Sequence, residues 1–136
     1  MLLEVAITMP VLLLIGGGIF EFGRAYRTWQ ALTNAAREGA RVAVLANTGT
    51  SAPEARAREE MDNSGLPNFA SAVVSVDRNV PMQVNGTNTS ASEVTIDYPF
   101  DLVVLQPVAW LISPDATFDD TSLTIRASTL MRNEAP

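Results

Sequence analysis

The sequence predicts an α+β fold, in which a long N-terminal α-helix packs against a small antiparallel β-sheet. Two observations support this prediction. The apolar run that begins the chain passes into a segment where apolar residues recur every three or four positions, which is typical of a helix with one buried face. In later segments apolar and polar residues alternate, which is typical of strands with one buried and one exposed face.

The composition excludes several classes of site. The chain has 136 residues, a net charge of −6, and neither Cys nor His. It has room for one modest domain beside a membrane segment, and it lacks the side chains for disulfides, thiolate or imidazole catalysis and the commoner zinc sites. Acidic residues concentrate after residue 47, which argues against binding to nucleic acid. We expect no catalytic residue, no metal site and no cofactor.

The first twenty residues, MLLEVAITMPVLLLIGGGIF, carry a single charge, that of Glu4. A helix of this length spans about 30 Å, the thickness of the hydrocarbon core of a bilayer. The basic residues and the cleavage site of a secretory signal do not flank this run, so we expect it to remain in the mature protein. A carboxylate at the centre of a bilayer costs on the order of 3 kcal/mol, so we expect Glu4 to have a partner or a function.

Pro10 and the triplet of Gly16, Gly17 and Gly18 weaken the helix over this run. Proline removes a backbone donor, and each glycine costs roughly 1 kcal/mol relative to alanine in a helix interior. Two interpretations stay open. The helix bends or loosens here for a functional reason, or the residues reflect the general frequency of Pro and Gly in membrane helices.

We expect the helix to cover residues 1–46, with a hydrophobic half over 1–22 and an amphipathic half over 23–46. The stripe that we expect to be buried under the rest of the chain consists of Phe22, Tyr26, Trp29, Leu32, Ala36, Ala40 and Ala43.

Beside this stripe runs a ridge of small residues four apart, Ala35, Gly39 and Ala43. Small residues at this spacing permit the close approach of a neighbouring backbone. The favoured neighbour is the chain's own sheet, and the alternative is a helix of another subunit.

Residues 47–136 are expected to form an α+β head with an antiparallel sheet. Ser51 is placed to cap a short surface helix that ends near residues 63–65. The strands are predicted over residues 71–78, 82–86, 92–98 and 122–132.

The dipeptide Asn85-Gly86 favours a tight hairpin between two of the predicted strands. The same stretch contains two patterns for N-glycosylation, which begin at Asn85 and Asn88. Most such patterns are simply turns, so modification is the less favoured interpretation.

The stretch before the last predicted strand is expected to form neither a membrane span nor a calcium site. Residues 99–115 are apolar, but Pro107 breaks this segment and it is too short to span a membrane, so we expect it to pack on the domain or on a neighbour. Asp115, Asp119 and Asp120 lack the spacing of an EF-hand, so loop solvation is preferred to calcium binding.

The orientation in the membrane stays open. Arg24 and Arg27 are the basic residues nearest the apolar run, and both follow it. By the positive-inside rule a complete chain of this kind keeps its C-terminal domain in the cytoplasm, whereas removal of a more basic leader places that domain outside.

Two stretches resemble the TadE-like family, which are type IV pilin-like proteins of tight-adherence pilus systems. The first is LLEVAITMPVLLLIGGGIFEFGRAYRTWQALTNAAREGARVAV, with its FGR, WQA and NAAREGAR motifs. The second comprises VTIDYPFDLVVLQP and SLTIRASTLMRNE near the C-terminus. The resemblance implies a type IV pilin-like fold and a filament subunit whose basic leader is removed by a prepilin peptidase. Its partners are then copies of itself, the assembly machinery and, before assembly, the inner membrane, and its final location is the cell surface.

The resemblance also implies roles for residues in the apolar run. Glu4 would meet the N-terminal ammonium, that of Met1 in this numbering, on a neighbouring subunit, and a paired buried carboxylate is far less costly than an unpaired one. In the family this glutamate usually lies one residue further from the N-terminus, so either the numbering begins one residue late or the spacing differs. The triplet Gly16, Gly17 and Gly18 is where the helix would lose helicity in a filament.

Three functions compete at this point. The leading one is a pilin or pseudopilin, and its place as a major or minor subunit is not encoded in the residues. The second is a monomeric, membrane-anchored extracytoplasmic binding module. An enzyme is the least favoured, because no constellation of catalytic side chains is visible.

Overall fold

A computed structural model of the protein describes residues 1–45, 49–104 and 122–133. The elements in chain order are α1 (Leu2–Ala43), α2 (Ser51–Asn63), a short 3-10 turn (Phe69–Ser71), β1 (Val73–Val84), β2 (Thr87–Asp101) and β3 (Ser122–Arg132). Within the described residues the three strands form one sheet in the order β1-β2-β3. The long N-terminal helix and the small antiparallel sheet confirm the predicted α+β class.

The chain forms two compact units. The first consists of Met1–Arg27 and Phe100–Leu123, and the second of Thr28–Pro99 and Thr124–Pro136. α1 contributes its apolar part to the first unit and its last part to the second. The predicted helix end at residue 46 lies outside the described residues, and the described helix ends at Ala43.

In the second unit, the last part of α1 packs closely on its neighbours. Its buried residues are Leu32, Ala35, Ala36, Ala40 and Ala43. A Cβ atom added at Gly39 would lie 3.1 Å from the carbonyl oxygen of Pro53, 3.2 Å from Ala57 Cβ and 3.4 Å from Val94 Cγ1. Gly39 therefore lies where α1, α2 and β2 meet, and the other two residues of the ridge, Ala35 and Ala43, are buried as well.

The aromatic residues that were predicted on the same stripe are placed differently. Phe22 is 74% exposed, Tyr26 50% and Trp29 45%, whereas Leu32 is fully buried. Their predicted role in helix packing stays a prediction.

α2 covers the core with one face of a short helix. Its buried residues, Pro53, Ala57 and Met61, recur every four positions, so they lie along one side of the helix. The helix begins at Ser51 as its first helical residue, and the capping position is Thr50, one residue earlier than predicted.

β1 and β2 form a hairpin around the Asn85-Gly86 turn. The last paired residues are Val84 and Thr87, and the two turn residues have φ values of 52° and 78°. Positive φ at both central residues is what a type I′ turn requires, and Asn-Gly is its preferred sequence.

The two strands predicted over residues 71–78 and 82–86 are one strand, β1. The pairing of β1 with β2 is irregular between Asp77 and Val80 and continues on both sides of this irregularity. Both predicted segments therefore belong to the same strand. Pro81 stays within β1 because β1 is an edge strand, where a missing N–H breaks no central ladder.

β3 is joined to β2 along its length. Arg126 forms a two-bond ion pair with Asp97, at 2.6 and 2.9 Å, and the backbone N–H of Asn133 donates to the carbonyl of Ser90 at 3.1 Å. Residue numbers increase from Arg126 to Asn133, whereas those of their partners decrease from Asp97 to Ser90. The two strands are therefore antiparallel.

Asn133, just beyond β3, forms hydrogen bonds with residues of β1 and β2. Its Nδ2 donates to the carbonyl of Arg78 at 3.0 Å and to Ser90 Oγ at 3.1 Å, and its Oδ1 accepts from Ser92 Oγ at 2.5 Å. The buried hydroxyl of Ser92 is satisfied in this way. Asn133 belongs to the C-terminal stretch that carries the family resemblance.

Gly39→Ala is expected to destabilise the protein, whereas its matched control, Gly23→Ala, is not. Alanine is favoured over glycine by about 1 kcal/mol inside a helix. The added methyl meets nothing within 4 Å at Gly23, but it meets three atoms at 3.4 Å or less at Gly39. Overpacking of this kind costs about 1–3 kcal/mol. Urea unfolding of the full-length variants in detergent micelles measures the difference, and equal stabilities would contradict the close packing at Gly39.

Arg126→Gln is expected to weaken the dependence of stability on acid pH. The hydrogen bonds from Arg126 hold the pKa of Asp97 below its ordinary value. Ionised Asp97 therefore stabilises the folded chain above the ordinary Asp pKa of about 3.9, and this contribution is lost as the pH falls through the lowered pKa. Melting temperatures measured below about pH 4 should fall less steeply for Arg126→Gln than for the control Arg132→Gln. Identical slopes would contradict the assignment.

Candidate assembly helix

Most side chains in the apolar part of α1 are exposed. The exposed large side chains include Leu2, Ile7, Leu13, Ile19 and Phe20. The helix is long and apolar enough to cross a membrane, with a mean hydropathy of 2.1 over its best stretch, and none of that stretch is buried. An apolar surface of this size marks a site of contact with lipid or with another protein.

α1 passes through its helix-weakening residues without a break. Pro10 and the triplet Gly16, Gly17 and Gly18 all lie within the continuous helix. The hydroxyl of Thr8 donates to the backbone carbonyl of Glu4 at 2.7 Å, which adds a side-chain hydrogen bond to the turn before the proline. The loosening predicted for the triplet concerns a filament, and it stays a prediction.

Glu4 lies exposed in the first turn of α1. A carboxylate is stabilised there by the positive end of the helix dipole. The backbone N–H of Val5 donates to the carbonyl of Met1 at 3.2 Å, so the helical hydrogen bonding begins at the first residue. The structure thus places Glu4 one turn from Met1 and leaves its carboxylate accessible.

A second carboxylate, that of Glu21, ends the apolar run and is buried. Its residue is only 3% exposed. Oε2 accepts the backbone N–H groups of Val103 at 3.1 Å and Val104 at 2.7 Å, and Oε1 forms an ion pair with the guanidinium of Arg24. Because both oxygens have partners, the cost of burying this charge is offset.

Arg24 extends the same cluster toward the end of β2. Its guanidinium lies 5.0 Å from the centroid of the Phe100 ring, within the range of a cation–π interaction. Its Nη1 is 3.5 Å from the carbonyl oxygen of Asp101. Glu21 and Arg24 therefore hold the chain that leaves β2 against α1. We call residues 101–104 the strap.

The sequence did not identify the strap. Glu21 and Arg24 have the spacing of a weak pair on a helix surface, and that was the only local signal. The strap residues that bury Glu21 are 82 and 83 positions away in the chain, so no short-range pattern connects them.

The other residues that the sequence singled out lie partly within and partly outside the described residues. Asn85 and Asn88 are exposed, at the hairpin turn and on β2, so both amides are accessible, and their glycosylation stays a prediction. Pro107, Asp115, Asp119 and Asp120 lie outside the described residues. Among the residues that are described, no group of three or more acidic side chains is placed to hold a metal ion.

Residues 1–41 match the family model described as TadE-like protein. This is the family that the sequence resembles, and the match confirms the resemblance over those residues. The C-terminal stretches that carry the rest of the resemblance lie outside the match. No curated protein and no solved structure matches the chain. The match and the apolar helix together fit a membrane-anchored protein related to Tad pili.

Arg24→Ala is expected to destabilise the protein by about 2 kcal/mol, because it leaves the buried Glu21 carboxylate without its cation. The partial exposure of Arg24, 31% for its side chain, keeps this loss below that of a fully buried pair. Arg27→Ala, an exposed charge one turn along, is the control and should change stability by less than about 0.5 kcal/mol. Thermal melts of both full-length variants in detergent micelles make the comparison. Equal melting temperatures would show that the ion pair contributes nothing.

Proposed function

We propose that the chain is a structural subunit, a pilin or pseudopilin, of a type IV or Tad-like pilus filament, and that it assembles through its apolar N-terminal helix after removal of a leader. The observation that supports this most is the outward-facing apolar surface of α1, which lies in the part of the chain that matches the TadE-like family model. The role is structural, so no catalytic residue is required.

The apolar surface of α1 needs a cover that keeps it from water. Exposed to water, apolar area costs roughly 25 cal/mol per Å². Lipid covers it before assembly, when the chain is held in the inner membrane by α1. In a filament core the same surface is covered by the α1 helices of neighbouring copies, so the helix moves from one apolar environment to another without exposure to water.

Glu4 provides the polar contact that this transfer needs. In lipid a lone carboxylate costs on the order of 3 kcal/mol. A neighbouring copy offers an N-terminal ammonium, and pairing the two charges removes most of the cost of burying either one. Docking of a subunit is then favoured over its remaining unpaired in the membrane.

The other partners follow from the same route. A prepilin peptidase removes the leader and exposes the N-terminal amine, and the pilus machinery extracts the subunit from the membrane. The head, with its acidic surface, is then displayed at the cell surface along the filament.

Glu4→Gln is expected to reduce filament assembly strongly. The amide has the shape of the carboxylate but no charge to pair with an ammonium, so the shearable filament fraction should fall by about tenfold or more for a pair worth 1.4 kcal/mol or more. Glu4→Asp retains the charge and should restore part of the assembly. Quantitative blots of sheared filaments and of the membrane fraction measure both.

Glu93→Gln, which changes a carboxylate on β2, is the matched control and should assemble normally. Normal filaments from Glu4→Gln would contradict the assembly role. Absence of the unaltered chain from sheared material, with the chain present in membranes, would contradict the pilin proposal and favour a membrane-anchored binding module.

A further inference from the structure

The three glycines of the apolar run differ in their surroundings. A Cβ atom added at Gly17 would lie 2.6 Å from Val104 Cγ1, closer than real Cβ contacts allow, whereas one added at Gly16 or Gly18 would meet nothing within 4 Å. The close approach of the strap therefore requires a glycine at position 17 alone.

Gly17 and Glu21 form one surface for the strap. Residues four apart lie above one another on the same face of a helix. The side chain of Val104 rests on Gly17, while its backbone N–H donates to Glu21 Oε2 at 2.7 Å. The strap is thus fixed at two points on successive turns of α1. We call Gly17 and Glu21 the seat.

We propose that the strap, docked on this seat, is a conformational device that holds α1 helical through its glycine triplet. Three successive glycines weaken a helix by roughly 1 kcal/mol each, and helices are stabilised mainly by tertiary packing. Val104 supplies a packing contact in the middle of that weak stretch. The triplet stays helical while the strap is docked, and it loosens when the strap leaves.

The consequence for assembly rests on the proposed function. A subunit with the strap docked carries a helix that is continuous through the triplet. A subunit that loosens there in a filament must first release Val104 from Gly17, so the strap regulates when the triplet changes conformation.

Amide hydrogen exchange, measured by NMR on the full-length chain in detergent micelles, tests the seat. In Gly17→Ala the new methyl displaces Val104, whose β-branched side chain has few rotamers to escape into. The amides of Val103 and Val104 should then exchange about tenfold faster, because their hydrogen bonds to Glu21 open more often. The matched controls are Gly16→Ala and Gly18→Ala, and both should leave these two amides unchanged.

A double variant distinguishes a displaced strap from a general loss of folding. Val104→Ala removes the methyl that meets the new Cβ, so Gly17→Ala combined with Val104→Ala should recover slower exchange at Val103 and Val104 than Gly17→Ala alone. Failure of this recovery would overturn the seat, as would equal exchange in Gly17→Ala and Gly16→Ala.

The ¹³Cα chemical shifts of Gly16 and Gly18 measure whether docking of the strap keeps the triplet helical. Glu21→Gln keeps the shape of the side chain but weakens the hydrogen bonds to the strap, so both shifts should move toward non-helical values. The control Glu4→Gln should leave them unchanged. Shifts that stay helical while the strap amides exchange rapidly would overturn the proposed device.

These measurements do not require filaments, so the two proposals fail separately. If the strap results hold and Glu4→Gln assembles normally, the seat stands and the proposed role of Glu4 falls. If filaments depend on Glu4 and the strap results fail, the filament role stands and the seat falls.

Discussion

The continuity of α1 is the constraint on which the rest of the structure depends. One helix, Leu2–Ala43, carries an exposed apolar part and a part that is buried through small residues. A helix satisfies most of its backbone hydrogen bonds internally, and Pro10 removes only one donor from α1, so the helix can pass from lipid to water with few unpaired peptide groups. Side chains alone therefore decide what each part of α1 contacts.

Two carboxylates of α1, those of Glu4 and Glu21, lie near the two ends of its apolar run and have different surroundings. Glu4 lies exposed in the first turn, where a charge in an apolar surface needs a partner from elsewhere. Glu21 ends the apolar run and has its partners within the chain, Arg24 and two amides of the strap. The carboxylate of Glu4 is thus accessible, whereas that of Glu21 holds the strap on α1.

Periodicity predicted the long helix and the class of fold, because both follow from local patterns. The small-residue ridge around Gly39 was also foreseeable, since close approach requires small side chains at a spacing of four. Phe22, Tyr26 and Trp29 continue the spacing of Leu32 but are exposed in this chain, so their role in helix packing stays a prediction. Periodicity shows which residues share a face of a helix and not what covers that face.

The features that sequence reasoning missed depend on distant contacts. The joining of two predicted strands into β1 depends on the pairing with β2, which spans the irregularity between Asp77 and Val80. The burial of Glu21 depends on Val103 and Val104, which no local pattern relates to it. The special position of Gly17 within its triplet has the same cause, because Val104 rests on that glycine.

The most direct measurement is a cryo-EM map of filaments sheared from cells that express this chain. The filament role predicts copies of the chain arranged helically, with residues 2–20 of α1 buried among those of neighbouring copies. Each Glu4 carboxylate should then lie within about 4–6 Å of the N-terminal amine of an adjacent copy, the range of a strong charge interaction. A filament built without this chain, or one in which its apolar helix faces water, would contradict the account.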